Sequence, residues 1–275
     1  MKTFYPISAY LIIPLIFGLF SCVEELPDVT GKNHIYQLQS VSEHQIDGHV
    51  KLRERNDGSA QIELVLNNLD SKNIYPAYMH FNNALEGGGV ALTLTAVDGQ
   101  SQNSVTEVST LDSGQPVSYQ DLLEFDGHLN IQMETELGAV VAQVDIGKNA
   151  LTGRFQQFQL TEGDLPGVEG VLTIEERESG FSLITVQMEG SIEGENHPVT
   201  LNFGSIHDQH SLAGTLNPVD GTSGISRTHL EQLNGELIVS YQSLVDFQGF
   251  LRVHLGEGTD MSTIMAQGNI AYVEN

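Results

Sequence analysis

A long segment of this chain occurs twice, in register and without a gap. Residues 197–221 (HPVTLNFGSIHDQHSLAGTLNPVDG) align with residues 75–99 (YPAYMHFNNALEGGGVALTLTAVDG), an offset of 122 residues. Each copy begins with His or an aromatic residue followed by Pro, continues through two apolar-alternating runs separated by a loop, and ends in Val-Asp-Gly. Because self-similarity at a fixed period marks repeated structural units, this pattern indicates a duplicated domain.

The same offset relates residues far outside these two segments. Glu54-Arg55 matches Glu176-Arg177, Gly58 matches Gly180, and Ser118-Tyr119-Gln120 matches Ser240-Tyr241-Gln242. Near the end of the chain the offset becomes 124, which places two extra residues in the loop at 256–260. We therefore predict two domains, residues 34–151 and residues 154–275, each large enough to bury its own core.

Within each copy the apolar residues recur with the period of a β-strand. Residues 49–66 alternate on both sides of an Asn-Asp-Gly turn signal and are predicted to form a hairpin. Residues 91–94, 129–133 and 140–146 are predicted as further strands, and residues 119–124 as one short helical turn. Many short strands with Gly and Asp turns predict an all-β fold, namely two tandem Greek-key β-sandwich or barrel domains.

The N-terminal residues indicate where the protein is delivered. Lys2 precedes an apolar run at 8–20 that is short for a membrane span. The run ends in Leu19-Phe20-Ser21-Cys22, which resembles the signal of bacterial lipoproteins, and this implies removal of residues 1–21 and a lipid on Cys22. A plain secretory signal with an incidental cysteine is the alternative. Cys22 is the only cysteine of the chain, so an intramolecular disulfide is excluded.

The residues after Cys22 and the net charge extend this expectation. Residues 22–33 are predicted to be an acidic tether. Val23 rather than Asp follows the cysteine, so the usual inner-membrane retention signal is absent. We expect a lipid-anchored protein of the bacterial cell envelope, at the outer membrane, on its periplasmic face or at the cell surface. The formal net charge is −25, or −26 without Lys2, which disfavours nucleic acid as a partner.

The second copy contains three distinctive motifs, at residues 217–221 (NPVDG), 247–254 (FQGFLRVH) and 262–270 (STIMAQGNI). Together they resemble the chordin-type (CHRD) domain, a family similar to the β-sandwich of copper/zinc superoxide dismutase. The first copy matches less literally but in register, and the resemblance covers nearly all of residues 34–273. It implies a dismutase-like strand framework in both copies and says little about activity, because one fold can serve many functions.

The resemblance also implies where a metal ion would be bound. In the dismutase-like framework, copper is held by a His-x-His pair on one strand and a His on a neighbouring strand, and alternate residues of a strand share a face. One imidazole does not hold copper or zinc, so a copy that keeps one histidine of three is interpreted as a degraded site. The corresponding positions are Tyr78, His80 and Gln132 in the first copy, and Thr200, Asn202 and His254 in the second.

Other histidines of the second copy leave the question of a metal site open. His197 keeps the leading His of the family motif, and His207 and His210 lie three residues apart in the following loop. The alternative for this pair is that both are solvated loop residues, because no further ligand is spaced for a site. The Asp-Gly pairs at 98–99 and 220–221 could attract calcium, but turn formation alone explains them.

These patterns support hypotheses of different classes. The first is a lipid-anchored protein without a cofactor or catalytic residues, which serves binding, adhesion or assembly with a protein or surface ligand. The second is a protein that binds copper or zinc and acts as a metal buffer or weak dismutase. Calcium-dependent adhesion through acidic loops is a third. The candidate ligands of the second hypothesis are His197, His207, His210 and His254, with His80 in the first copy.

Overall fold

A computed structural model of the protein describes residues 27–136, 138–207 and 211–271. Its regular structure is almost entirely β-strand in two successive domains, which confirms the predicted fold class. The predicted signal peptide at 1–21 and the lipidation site Cys22 lie outside the described residues. Within the described ranges, none of the helices has the length and apolarity that a membrane crossing requires.

The first domain, as far as the structure describes it, contains eight strands and one short α-helix. These are β1 (Val29–Ser40), β2 (Asp47–Arg55), β3 (Ala60–Asn67), β4 (Ile74–Phe81), β5 (Val90–Asp98), β6 (Asn103–Val108), α1 (Tyr119–Leu123), β7 (Asp126–Met133) and β8 (Ala139–Gly147). The predicted hairpin and helical turn are both confirmed. The Ser118 side chain caps α1 by accepting a hydrogen bond from the Asp121 N–H, and this fixes where the helix begins.

The described part of the second domain repeats this order and adds a small hairpin. Its elements are β9 (Leu151–Glu162), β10 (Glu169–Arg177), β11 (Ser182–Glu189), β12 (Asn196–Phe203), β13 (Ser211–Asp220), β14 (Ile225–Leu230), β15 (Gln232–Leu233), β16 (Leu237–Ile238), α2 (Tyr241–Val245), β17 (Gly249–His254) and β18 (Ile264–Ile270). β15 and β16 pair only with each other and form the added hairpin.

Both domains are Greek keys with the same strand order. The first is a sheet of order β5-β4-β7-β8-β1-β2-β3-β6, and the second is a closed barrel of order β13-β12-β17-β18-β9-β10-β11-β14. If the added hairpin is left out of the count, the third strand of each domain neighbours the sixth and the fourth neighbours the seventh, which are the crossings that define a Greek key. Each domain encloses a separate hydrophobic core, and the first sheet curls into a barrel that stays open only between β5 and β6.

Side-chain hydroxyls bridge the seam between β5 and β6, the two ends of the first sheet. The Ser104 hydroxyl donates to the Thr95 carbonyl at 2.8 Å, and the Thr95 N–H donates to Thr106 Oγ1 at 2.8 Å. These hydroxyls satisfy backbone groups that the open seam would leave unpaired. The second domain repeats both bonds, at 2.6 and 2.9 Å, through Ser226, Asn217 and Thr228.

The first strand of each domain begins earlier than the sequence predicts. β1 begins at Val29 instead of His34, so residues 29–33 belong to the barrel and not to the tether. The Thr30 hydroxyl and the Lys32 ammonium donate to the Glu54 carboxylate at 3.0 and 3.1 Å. Because polar bonds hold this part of the strand, its sequence shows no alternation of apolar residues. β9 likewise begins at Leu151, with bonds from Thr152 and Arg154 to Glu176 at 3.0 and 2.9 Å.

The Val-Asp-Gly ends of the two copies are tight turns. A Cβ atom at Gly99 would lie 2.0 Å from the Asp70 carbonyl oxygen, and one at Gly221 would lie 1.9 Å from the Ile192 carbonyl oxygen. Only glycine permits this approach of two backbone segments. The preceding aspartates bond to the turn itself, because Asp98 accepts from Gln100 and Ser101 N–H and Asp220 accepts from Ser223 N–H.

Candidate functional site

The three positions at which the resemblance implies a metal in the second domain lie together. Thr200 and Asn202 are on β12, and His254 is on the neighbouring strand β17. The Asn202 amide donates to Thr200 Oγ1 at 3.1 Å, and Thr200 Oγ1 lies 2.9 Å from His254 Nε2. All three side chains are buried. A chain of hydrogen bonds therefore occupies the place where the resemblance implies an imidazole cage.

His254 uses both ring nitrogens in this chain. Nδ1 lies 2.7 Å from the Met261 carbonyl oxygen, and a carbonyl only accepts, so Nδ1 carries the proton. Nε2 then accepts from the Thr200 hydroxyl. Burial lowers the pKa of His254 and outweighs the bond to Met261, which raises it; the charge of Arg252 lowers the pKa further. Burial thus favours the neutral form of the ring, and both of its nitrogens are already bonded.

His197 lies on the opposite face of β12. Side chains alternate along a strand, and His197 shares its face with Val199 and Leu201, which belong to the core. Thr200, the hydrogen-bond partner of His254, lies on the other face. His197 and His254 therefore face opposite ways, and the structure does not bring their rings to a common centre.

The leading residue of each copy ties the start of the motif to the loop before it. His197 is completely buried; its Nδ1 donates to the Leu255 carbonyl at 2.9 Å and its Nε2 accepts from the Ile192 N–H at 3.0 Å. In the first domain the Tyr75 hydroxyl makes the bond that corresponds to the one from Ile192, because it accepts from the Asp70 N–H at 3.0 Å. The position therefore serves packing in both domains, with an imidazole in one and a phenol in the other.

Replacing His197 with phenylalanine should destabilise the second domain by roughly 2–4 kcal/mol, because the Ile192 N–H and the Leu255 carbonyl both lose their partner. Tyr75→Phe should cost the first domain only about 1–2 kcal/mol, since one N–H loses its acceptor. Urea unfolding measures the loss of stability in both variants, and the loss should be larger for the His197 variant. Equal losses in the two variants would contradict the double role of the imidazole.

The other two candidate metal ligands of the second domain are His207 and His210. His207 is exposed in the loop after β12, and its backbone N–H donates to Ser205 Oγ at 3.2 Å. His210 lies outside the described residues. Across the ranges that the structure describes, no three His, Cys, Asp or Glu side chains are grouped so that they could hold a metal ion.

In the first domain His80 stacks on His128, a residue that the sequence analysis did not single out. Their ring centroids are 5.0 Å apart with planes 12° from parallel, because the two residues are paired across β4 and β7. Each Nδ1 faces a backbone carbonyl, that of Gly88 at 3.0 Å and that of Asn82 at 2.8 Å. His80 Nε2 is buried and, among the described residues, has no hydrogen-bond partner. Tyr78 makes an edge contact with His80, whereas Gln132 makes no hydrogen bond to it.

The two buried histidines should make the protein less stable in mild acid. Burial is the main cause that lowers the pKa of His128 and of His254 below 6.5. Because the folded pKa lies below the unfolded one, this stability is complete above pH 6.5 and is lost as pH falls toward the folded pKa. Thermal unfolding from pH 7.5 to 5.5 should show a smaller fall for His128→Phe combined with His254→Gln, which exchange each residue for its counterpart in the other repeat. An unchanged slope would contradict the assignment.

A buried arginine joins the two domains. Arg177, at the end of β10, is 1% exposed; its Nη1 donates to Asp145 Oδ2 on β8 at 2.7 Å and also to the Asn149 carbonyl. The backbone around it is fixed to the linker, because the N–H groups of Glu178 and Ser179 donate at 2.8 Å to the carbonyls of Ala150 and Lys148. In the sequence, Arg177 stands out only because it matches Arg55 of the first copy.

The corresponding arginine of the first domain is bonded differently. Arg55 donates to the Pro27 carbonyl through Nε and Nη2, and its Nη1 pairs with the Glu107 carboxylate. The repeat offset places His229 where Glu107 would be, so the second domain lacks its own carboxylate for Arg177. Arg177 instead takes its counter-charge from Asp145 of the first domain. The exchange of Glu107 for His229 was the signal in the sequence that could have revealed this contact.

Comparison with protein-family models and with curated protein sequences finds no match to this chain. The resemblance to the CHRD domain therefore stays a prediction based on its motifs. The Greek-key fold and the hydrogen-bonded chain at Thr200 and His254 rest on the structure alone.

Proposed function

We propose that this protein is a non-catalytic, lipid-anchored protein of the bacterial cell envelope whose two domains serve binding, adhesion or assembly. The observation that carries the proposal is the buried chain of hydrogen bonds through Asn202, Thr200 and His254. A strand framework persists in both repeats, while in the second repeat the positions implied for copper are occupied by side chains bonded to one another. This combination is expected of a domain that is used for its rigidity and its surface.

The contact between the domains supports a role as a fixed scaffold. Leu183 lies outside the core cluster of its own domain and is nevertheless buried, and it lines one cavity together with residues of the first domain. Its counterpart Gln61 is polar and donates to Glu107 at 2.9 Å. The equivalent face of the first domain is therefore polar. The terminal repeat of an array typically has such a polar outer face, which favours a unit of two domains.

Cys22 supports the proposed anchor. It is the only cysteine of the chain and follows a short apolar run ending in Leu-Phe-Ser. The formal charge of −25 favours a body that stays in solution and away from anionic lipid while a lipid on Cys22 holds it at the membrane. Outer-membrane placement rests on Val23, which stands where an inner-membrane protein would carry Asp.

The anchor can be tested with Cys22→Ser in a bacterial host. The wild-type protein should incorporate labelled fatty acid and sediment with membranes, whereas the variant should remain unlabelled and move to the soluble fraction. Ser21→Ala, which keeps a small residue before the cysteine, is the matched control and should behave as wild type. Equal labelling of the Cys22 variant would contradict the anchor.

The absence of a metal role can be tested by elemental analysis of the mature protein after exposure to copper and zinc and exhaustive dialysis. We expect well under one equivalent of either metal, because the ring nitrogens of His197 and His254 are bonded within the protein. One retained equivalent would contradict the proposal.

One observation favours the alternative of a copper- or zinc-binding protein, and it lies in the first domain. His80 Nε2 is buried beside His128 and has no hydrogen-bond partner in the part of the chain that the structure describes. Both Nδ1 atoms face carbonyls, as the outer nitrogens of metal-binding histidines commonly do. His80→Asn introduces the residue of the second repeat. If wild type retained a metal and this variant did not, the alternative would replace the leading proposal.

A further inference from the structure

The structure fixes the chain to the first domain from Pro27 onward. The buried Arg55 donates to the Pro27 carbonyl through Nη2 and, at 2.7 Å, through Nε. The Asn56 N–H donates to the Asp28 carbonyl at 2.9 Å, and β1 begins at the next residue. The tether therefore ends at Pro27 and is shorter than the segment 22–33 that the sequence predicts.

The second domain holds the chain that enters it in the same way. Arg177 donates to the Asn149 carbonyl, and the Glu178 N–H donates to the Ala150 carbonyl at 2.8 Å. The repeat offset of 122 residues relates these two acceptors to residues 27–28. Each domain thus uses a buried arginine to fix its entering segment, and in the first domain that segment leads from the predicted lipidation site.

Chain length limits how far this fixed point can lie from a lipid on Cys22. Five residue steps lead from Cys22 to Pro27 (27 − 22 = 5). An extended chain gains at most about 3.6 Å per residue, so Pro27 lies within roughly 18 Å of the lipidated cysteine. A tether that reached residue 33 would have allowed about 40 Å. The bonds at Pro27 therefore reduce the reach of the tether by more than half.

Pro27 lies at one end of the first barrel. The turn between β2 and β3, residues 56–59, belongs to the same end, because Arg55 and Asn56 hold the entering chain there. The start of α1 also belongs to it, since the Tyr119 N–H donates to the carbonyl of residue 58 at 3.0 Å. Residues 56–58 are exposed, so the second domain leaves this turn uncovered.

The opposite end of the barrel carries the turn between β5 and β6, residues 99–102. The Gln102 carbonyl accepts from the Leu66 N–H at 2.9 Å, and Leu66 is paired with Gly48 near the start of β2. The nine residues of β2 connect the two ends, which separates them by roughly 25 Å. The two ends can therefore lie at clearly different distances from a membrane.

We propose that the end of the first domain formed by Pro27, the turn at 56–59 and the start of α1 faces the lipid bilayer, and that the turn at 99–102 points away from it. This inference rests on the proposed lipid anchor at Cys22. The formal charge of −25 favours the upright placement, because a barrel lying along an anionic lipid surface would bring more of that charge close to the headgroups. On the first domain, a partner in solution therefore meets the end that carries the turn at 99–102.

The orientation can be measured with a single fluorophore, because the chain contains no tryptophan. Asn56→Trp and Gln100→Trp each place one tryptophan on an exposed turn, at opposite ends of the barrel. The mature chain is coupled through the Cys22 thiol to a maleimide-bearing lipid in vesicles of phosphatidylcholine and phosphatidylglycerol that contain a dansyl-labelled lipid. We expect energy transfer to dansyl to be several-fold stronger from position 56 than from position 100, because transfer falls steeply with distance. Equal transfer from the two positions, or stronger transfer from position 100, would overturn the proposal.

A longer tether is the matched control. A flexible Gly-Ser segment of about twelve residues, inserted between Leu26 and Pro27, leaves the bonds at Pro27 in place and lets the body turn. The difference between the two positions should then largely disappear. A difference that persisted would overturn the proposal, because the orientation would not depend on the reach of the chain. Since the lipid is attached chemically, these outcomes concern the orientation alone, whereas loss of fatty-acid labelling in cells would contradict the anchor.

Discussion

Replacing Asp145 with asparagine should destabilise the domain pair by about 2–3 kcal/mol. The amide can still accept from the Ala84 N–H, which now donates to Asp145 Oδ1 at 2.7 Å, but it leaves the Arg177 guanidinium buried without its counter-charge. The Asp145 side chain is 16% exposed, which places the expected loss below that of a fully buried pair. Thermal and urea unfolding, followed by circular dichroism, measure the loss.

A second substitution separates this explanation from a general loss of packing. Asp145→Asn combined with His229→Glu should recover most of the stability, because Arg177 would then have the arrangement of Arg55 and Glu107. Lys32→Gln is the control, since it removes an exposed ion pair and should change stability by less than about 1 kcal/mol. If Asp145→Asn costs no more than this control, the buried pair does not hold the domains together.

Replacing Gly221 with alanine should cost the second domain about 3 kcal/mol, because the new Cβ cannot be accommodated without a backbone shift. It would lie 1.9 Å from the Ile192 carbonyl oxygen, and a backbone atom cannot rotate away as a side chain would. Gly99→Ala should destabilise the first domain in the same way, at 2.0 Å from the Asp70 carbonyl oxygen. The measurement is the unfolding temperature of each variant.

Gly89→Ala is a matched control for both glycine substitutions. It makes the same chemical change, so the effect on the unfolded chain is similar, but no atom lies within 4 Å of the added Cβ. Its stability should stay close to that of wild type. Gly221→Ala with the stability of Gly89→Ala would show that the Val-Asp-Gly turn has room for a side chain.

Most of the fold prediction depended on the repeat and on the alternation of apolar residues within it. Alternation in residues 49–66 predicts the β2–β3 hairpin, and the constant offset predicts that both domains share one topology, as they do. The early starts of β1 and β9 were missed because residues such as Thr30 and Lys32 are held by polar bonds to a neighbouring strand and carry no apolar period. The signal peptide and Cys22 remain predictions, since they lie outside the described residues.

The sequence does not reveal the chemistry of the candidate site. Thr200, Asn202 and His254, the positions to which the resemblance leads, are neighbours in the structure, and only the structure reveals that they bond to one another. His197 looked like a ligand because its type matches the family motif, whereas its strand face and its bonds to Ile192 and Leu255 decide its role. A sequence motif states which residue stands at a position and leaves open which way the side chain points.

The contact between domains could not be found by seeking identical residues in the two copies. It depends on a difference, His229 in place of Glu107, whose meaning appears only when Asp145 is seen to supply the missing charge. Duplicated domains can thus diverge by exchanging a partner within one domain for a partner in the other. Comparing the copies for compensating differences would be a direct way to search other tandem proteins for fixed interfaces.

The hydroxyl-bridged seam bears on how copies of the protein behave when crowded together. An exposed strand edge is a template on which a strand of another molecule can add. At the edge of the first barrel, Thr95 has its N–H bonded to Thr106 and its carbonyl bonded to Ser104. An incoming strand must first break these bonds, so this edge resists aggregation through sheet extension even where many molecules share a small area.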